Sequence, residues 1–250
     1  MSIEEYNAWP LVKMVHSWEK SAYRKTVWIS QTNMDRARMF VNDLGIKGQN
    51  ISLKIMPNYP QRRWAEGYTK TVWAPAERVR LVYIGAVDLE NICFAEIIDW
   101  IERQKGRFEL DIFSNQDPAL VQGYAKQVNA RFVRFLGSVP YMELPALLVK
   151  YDVGLILYRG GSKNFMYNAP NKLFEYLAVG LDVWYPSHLE GIKPYTRLDK
   201  HPMVVPMDIA NMDTFNVDDV YQLPGIQFEL MGYFAEDVYH ELLSAMVSHK

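Results

Sequence analysis

Apolar residues recur at helical spacing near the start of the chain, at Leu11, Val12, Val15, Trp18 and Ala22, and Pro10 suits the first turn of that helix. A short β-branched and aromatic run, Val27, Trp28 and Ile29, then predicts a buried strand. Thr32 with Asp35 three residues on makes a capping-box-like start. Ala37, Phe40, Val41 and Leu44 supply one helical face, and Gly45 stops it. Residues 51–56 predict a second strand, which ends at Pro57. Residues 58–76 carry no period of either kind and read as a linker, in which Arg62, Arg63 and Trp64 are expected to be solvated rather than to grip a phosphate or an RNA base.

From residue 81 the alternation is sustained. Strands are predicted over 81–84, 110–113, 132–136, 153–157 and 183–185. Helices are predicted over 94–101, 118–128, 142–149 and 173–179, with Gly106 and Gly180 closing the first and last. Strand then helix, with strands apolar on both faces, is the pattern of a Rossmann-like α/β domain: a parallel sheet covered by helices on each side. Past Pro206 the period fades and residues 207–225 are acidic and irregular. A last helical face returns through Val238, Leu242, Leu243 and Met246. The expected organisation is a strand-helix-strand piece with linker over 1–72, a Rossmann-like domain over 73–230 and a final helix over 231–250. Two parallel strands cannot stand alone as a sheet, so the first piece must dock on its own large domain, on a second copy or on a separate chain.

Composition narrows the function classes. Among 250 residues, 49% are hydrophobic and 22% charged, which excludes a disordered chain. Lys and Arg total 27 against 29 acids, a balance that argues against nucleic acid as the partner. The lone Cys93 excludes a disulfide framework and a cysteine-built zinc site. His16, His188, His201, His240 and His249 are scattered without a His-Glu-x-x-His pair, so no metal centre is expected. No apolar run approaches the roughly 18 residues of a membrane span, and the opening residues lack the order of a signal peptide. A cytoplasmic chain is expected, with attachment at the inner membrane face as the other reading.

Open parallel sheets bind ligands at the carboxyl ends of their strands. The longest loop there runs from Tyr158 through Lys163 and Tyr167 to Pro170, and delivers the chain into Asn171, Lys172, Leu173, Phe174, Glu175, Tyr176, Leu177 and Ala178. At that helix start the amides of Asn171, Lys172 and Leu173 are expected to lack intrahelical partners. With the helix dipole and the Lys172 ammonium they suit a phosphate. Glu175, one turn farther in, could accept hydrogen bonds from a vicinal diol such as ribose. The competing reading makes Glu175 and Lys172 ordinary solvated helix residues. The glycines at 160 and 161 lack P-loop spacing and read as a flexible turn. His188, after the strand at 183–185, reads as a loop histidine or as one that reaches the same pocket.

Three motifs in order carry a resemblance. They are Leu136, Gly137, Val139 and Pro140; then Asp152, Val153, Gly154 and Leu155; then Pro170 through Ala178 with Gly180. This stretch resembles the C-terminal, donor-binding domain of GT-B glycosyltransferases, in particular the retaining group called family 4 (group 1). The resemblance extends more weakly to residues 81–85, to the piece ending at Pro57 and Asn58, and to the final helix, which is similar to the family's tail that crosses back toward the acceptor domain. It implies a nucleotide-diphosphate sugar as donor substrate, no metal cofactor, and an acceptor held by a separate domain. By it Glu175 binds the ribose, Gly85 lets the chain approach the diphosphate, and the turn from Gly137 to Pro140 flanks the base. The amides at Asn171 to Leu173 and Lys172 itself face the diphosphate or sugar. The chain departs from the family where many members carry an Arg and a Lys on the diphosphate and a second Glu on the sugar. Here those places hold Ala86, Asn91 and Tyr167, and Lys163 or Lys172 is left to supply the charge.

The function expected is retaining glycosyl transfer in polysaccharide or glycoconjugate synthesis. The alternatives are a non-catalytic donor-binding subunit or degenerate remnant that acts through a partner chain, and a sugar-nucleotide epimerase of the same architecture.

Overall fold

The computed structural model describes residues 9–23, 25–26, 28–45, 53–70, 78–221 and 227–248. Helix α1 (Pro10–Tyr23) is followed by β1 (Ile29–Gln31), α2 (Met34–Leu44) and β2 (Leu53–Ile55). The large domain then contributes β3 (Val79–Ile84), α3 (Phe94–Arg103), β4 (Phe108–Phe113), α4 (Ala119–Gln127), β5 (Val133–Phe135) and α5 (Leu144–Leu148). It continues through β6 (Val153–Leu155), α6 (Lys163–Met166), α7 (Asn171–Ala178), β7 (Asp182–Pro186), β8 (Lys200–His201), β9 (Val204–Met207) and α8 (Val217–Tyr221). Strand β10 (Gln227–Phe228) pairs with β8, and α9 (Ala235–Ser248) closes the series. Val27 and residues 51–52 of the expected strands, and the expected boundary at 72/73, lie outside the described residues.

Six strands form one all-parallel sheet in the order β5-β4-β3-β6-β7-β9. Counted from β3, that is the doubly wound order 3-2-1-4-5-6, whose direction reverses between β3 and β6. One face buries Leu81, Tyr83, Leu110, Ile112, Trp100 and Trp184; the other buries Val82, Phe174, Tyr176, Leu177, Val183 and Tyr185. Both faces are therefore covered, as continuous apolar strands require.

Strand β9 extends the sheet where the sequence pattern fades. It carries Pro206, which has no N–H to give a ladder, and accordingly lies at the sheet edge, where Pro206 pairs in register with Tyr185. The start of α2 also differs from expectation. Asn33 rather than Thr32 is the cap, its side chain accepting the Arg36 amide at 2.9 Å, while Gly45 closes the helix at φ 64° as expected.

Strands β1 and β2 pair with each other in parallel, and the piece they form with α2 is docked on the large domain. The Asn33 side-chain amide donates to the Tyr167 carbonyl at 2.7 Å, and Arg36 reaches the Asn168 side-chain oxygen at 3.4 Å. On the other side, Lys54 pairs with Glu241 of α9 at 3.0 Å. The apolar stripe of α1 does not enter a core: Leu11 and Trp18 are 69% and 64% exposed.

The expected linker is packed rather than free. Trp64 is buried in the core beneath α7, against the expectation of a solvated side chain. The Lys70 amide donates to the Val179 carbonyl at 2.9 Å, and the Lys70 carbonyl lies where a β-carbon on Gly180 would stand. Lys70 and Arg80 both bind the Asp152 carboxylate, at the sheet edge opposite the loops after β3 and β6.

Glycine at 154 decides how closely α7 approaches the sheet. A β-carbon there would lie inside the Tyr176 ring, so α7 packs directly on the backbone of β6. Gly154→Ala is expected to cost about 1–3 kcal/mol, the usual penalty for overpacking a core. Urea denaturation checks it, and an unchanged midpoint would refute it.

Burial pushes the Asp152 carboxyl up, but hydrogen bonds from Arg80 and Lys70 outweigh that and leave it below the ordinary aspartate value of 3.8. Its contribution to stability is therefore complete above that pH and is lost as pH falls toward the lower, folded-state value. Asp152→Asn is expected to be less stable than wild type near pH 7, with the gap narrowing once the pH falls below the ordinary value of 3.8. Thermal midpoints at the two pH values test this.

Candidate functional site

The strand order reverses between β3 and β6, and sheets of this kind bind ligands at the carboxyl ends of the strands at such a point. Helix α7 follows β6 and runs back along the sheet, so its N-terminus lies at this edge. Its second turn is tied to the end of β3, because the Ile84 amide donates to the Tyr176 hydroxyl at 3.2 Å. Tyr176 is fully buried, and burial pushes its phenol far above the ordinary range.

At the start of α7, Pro170 is the extended residue before the helix, and it offers no donor. The Leu173 amide donates to the Pro170 carbonyl at 3.0 Å, and the Leu173 side chain is buried in the core. Leu173 thus departs from the expectation of a spare donor. The amides of Asn171 and Lys172 have no protein acceptor among the described residues and stand at the positive end of the helix.

Glu175 is 4% exposed, which removes the reading of a solvated helix residue. Lys172 donates to its carboxylate across one turn, with the lysine side chain 23% exposed and the glutamate 5%. Burying a carboxylate is costly, and the Lys172 ammonium is the partner that offsets it here. Tyr141 stands near it. Burial first, and then the negative charge of Glu175, raises the Tyr141 phenol, while the Arg63 guanidinium opposes the rise. The Tyr141 ring packs against Trp64 at 5.1 Å.

The other expected residues follow the carboxyl ends of β3, β5, β6 and β7. Gly85 follows β3; its amide donates to the Phe113 carbonyl at 3.1 Å, and a β-carbon would press on the Tyr83 hydroxyl. Gly137 has φ 76° with open space on its side-chain side, and its carbonyl accepts the Ser114 amide at 2.8 Å. Val139 packs on the core beneath α7, and Pro140 leads into the turn that carries Tyr141. Tyr158 is half-buried and stacks on Phe165 at 5.1 Å. Lys163 is exposed at the first position of α6, and Tyr167 is half-buried with its carbonyl held by Asn33. His188 is exposed and lies against Gly160. Among the described residues, no three His, Cys, Asp or Glu side chains gather as a metal site would require, and no helix is long and apolar enough to cross a membrane.

Tyr141, Asn33 and Arg36 were not legible as site residues in the sequence, and Trp64, weighed there as a ligand-gripping or solvated residue, is buried instead. Each reaches this edge from a distant segment, and no local spacing signals that. The Tyr141 turn had one hint in its position directly after Pro140.

No family model matches the chain, and no curated protein matches it in sequence. Solved structures do match its fold. Anabaena HepE in complex with UDP and glucose superposes with a TM-score of 0.60 at 10% identity, over 91% of this chain and 65% of HepE. S. aureus TarM in complex with fondaparinux, α-GlcNAc-glycerol and UDP gives 0.59 at 10% identity, over 92% of this chain and 45% of TarM. The lipopolysaccharide outer core galactosyltransferase WaaB gives 0.51 at 12% identity, over 95% of this chain and 79% of WaaB. The chain thus spans about half the length of TarM and shares the Rossmann-like GT-B fold of these proteins.

The Lys172–Glu175 pair has a measurable signature. Lys172→Met leaves a buried carboxylate without the cation that offsets it and is expected to cost about 1–3 kcal/mol. The double variant with Glu175→Gln should recover most of that loss. A double-mutant cycle in urea tests the coupling, and additive losses would show the two groups to be independent.

Proposed function

We propose that the crevice between the ends of β3 and β6 binds a nucleotide-diphosphate sugar, and that the chain is the donor side of a retaining glycosyltransferase of polysaccharide or glycoconjugate synthesis. The observation that carries this reading is the buried Glu175, paired with Lys172 and one turn inside a helix whose first two amides have no protein acceptor among the described residues. In this reading the ribose hydroxyls donate to Glu175. The amides of Asn171 and Lys172, with the ammonium of Lys172, take the diphosphate. Gly85 lets that diphosphate approach the backbone, and the turn from Gly137 through Val139 to Pro140 flanks the base.

The groups assigned to the diphosphate are amides and cations, which stabilise the departing charge without a divalent metal. Tyr158, Lys163 and Tyr167 border the same edge and are assigned to the sugar and diphosphate. The acceptor, supplied with its own domain or partner chain, approaches from the side of β1, α2 and β2. Structures such as HepE and TarM, each in complex with UDP, support uridine diphosphate as the first probe.

Calorimetric titration with UDP, GDP and ADP tests the proposal. Losing a charged hydrogen bond is worth roughly 1.5–3 kcal/mol, so Glu175→Ala should weaken binding by about 10-fold to 100-fold. Excess EDTA should leave the affinity of the wild-type chain unchanged. Equal affinities for wild type and Glu175→Ala would remove Glu175 from the site, and loss of binding in EDTA would overturn the metal-independent chemistry.

A further inference from the structure

The charge at the start of α7 does not suffice for a diphosphate. Lys172 is already paired with Glu175, so the two together contribute no net positive charge to the crevice edge. Arg159, on the loop after β6, is consumed in the same way: its guanidinium forks onto Glu96 at 2.5 and 2.9 Å. Lys163 is exposed and held by no described side chain.

Arg36 is different. It is half-buried in the first turn of α2, and among the described residues it has no carboxylate partner. The acid beside it, Asp35, is engaged by Arg38 at 3.2 Å. A cation in the first turn of a helix faces the positive end of the helix dipole, so its own helix disfavours it there. Its one side-chain hydrogen bond goes to the neutral Asn168 at 3.4 Å, a long contact for a guanidinium. That contact aims the group at the segment that enters α7, three residues before Asn171, a separation of at most about 11 Å between Cα atoms. Asn33 fixes the aim, because its side chain caps α2 and grips the Tyr167 carbonyl at once.

We infer that Arg36 is a donor-binding residue: its guanidinium, supplied by the β1-α2-β2 piece from outside the Rossmann-like sheet, contacts the diphosphate. The inference rests on the proposed donor site and adds to it a cation from a separate part of the fold. A guanidinium binds phosphate oxygens in bidentate fashion, which no neutral partner such as Asn168 matches. Donor binding would then join the N-terminal piece to the large domain through the ligand as well as through Asn33.

The test compares wild type, Arg36→Gln and Arg36→Lys by calorimetry with UDP and with uridine, alongside thermal midpoints without ligand. The expected result is a loss of about 10-fold or more in UDP affinity for Arg36→Gln, partial recovery in Arg36→Lys and unchanged affinity for uridine. A residue that only held the fold would weaken uridine and UDP alike, and that result would overturn the inference. Should Arg36→Gln not fold, Arg36→Lys keeps the charge but loses the fork, and a several-fold loss confined to UDP is expected from it alone. If wild type binds UDP and the variants bind it equally, the Arg36 assignment falls while the donor site stands. If wild type binds none of UDP, GDP and ADP, both fall.

Discussion

Tyr176 stands where β3, β6 and α7 meet, and the candidate site depends on that contact. The ring lies on the bare backbone of Gly154, and the hydroxyl accepts the last amide of β3. A buried phenol that binds a strand end fixes both the height and the direction of the helix above the sheet. The helix start, with its two spare amides, therefore reaches the crevice as part of a rigid assembly. Glu175 precedes Tyr176 in the chain, so the residue that anchors the helix also sets its neighbour's place.

The segment between the small N-terminal piece and the sheet acts as a strap. Trp64 fills the core under α7, and Lys70 closes over Gly180 where the same helix ends. One stretch of chain thus supports α7 at both ends, and Asn33 and Arg36 bear on the loop that precedes it. The site edge is consequently bordered by groups from the sheet, the strap and the N-terminal piece.

The strand-helix alternation from residue 81 onward was legible because each element is long enough to show its period, and the sheet contains every strand the pattern predicts there. The helix at Asn171 and its candidate chemistry were legible because Pro170, Lys172 and Glu175 fall within one and a half turns. Strand β9 was not, since Pro206 breaks a short apolar run and only its edge position makes that harmless. Thr32 and Asn33 are adjacent and chemically equivalent as caps, so local sequence could not separate them. Burial of Trp64 and the approach of Arg36 are tertiary facts, set by contacts across more than a hundred residues. The stripe on α1 had the period of a buried helix and is exposed, because period reports amphipathicity and not what covers it.

The link between Lys54 and Glu241 spans 187 positions, and Arg62 reaches Glu236 and Asp237 across almost as many. The first strand pair of the chain is therefore completed by its last helix. The piece is therefore held from two sides, by the loop before α7 through Asn33 and Arg36 and by α9 through Lys54, so loosening either side would leave the strand pair leaning on the other. Two parallel strands have little stability of their own, so both anchors count.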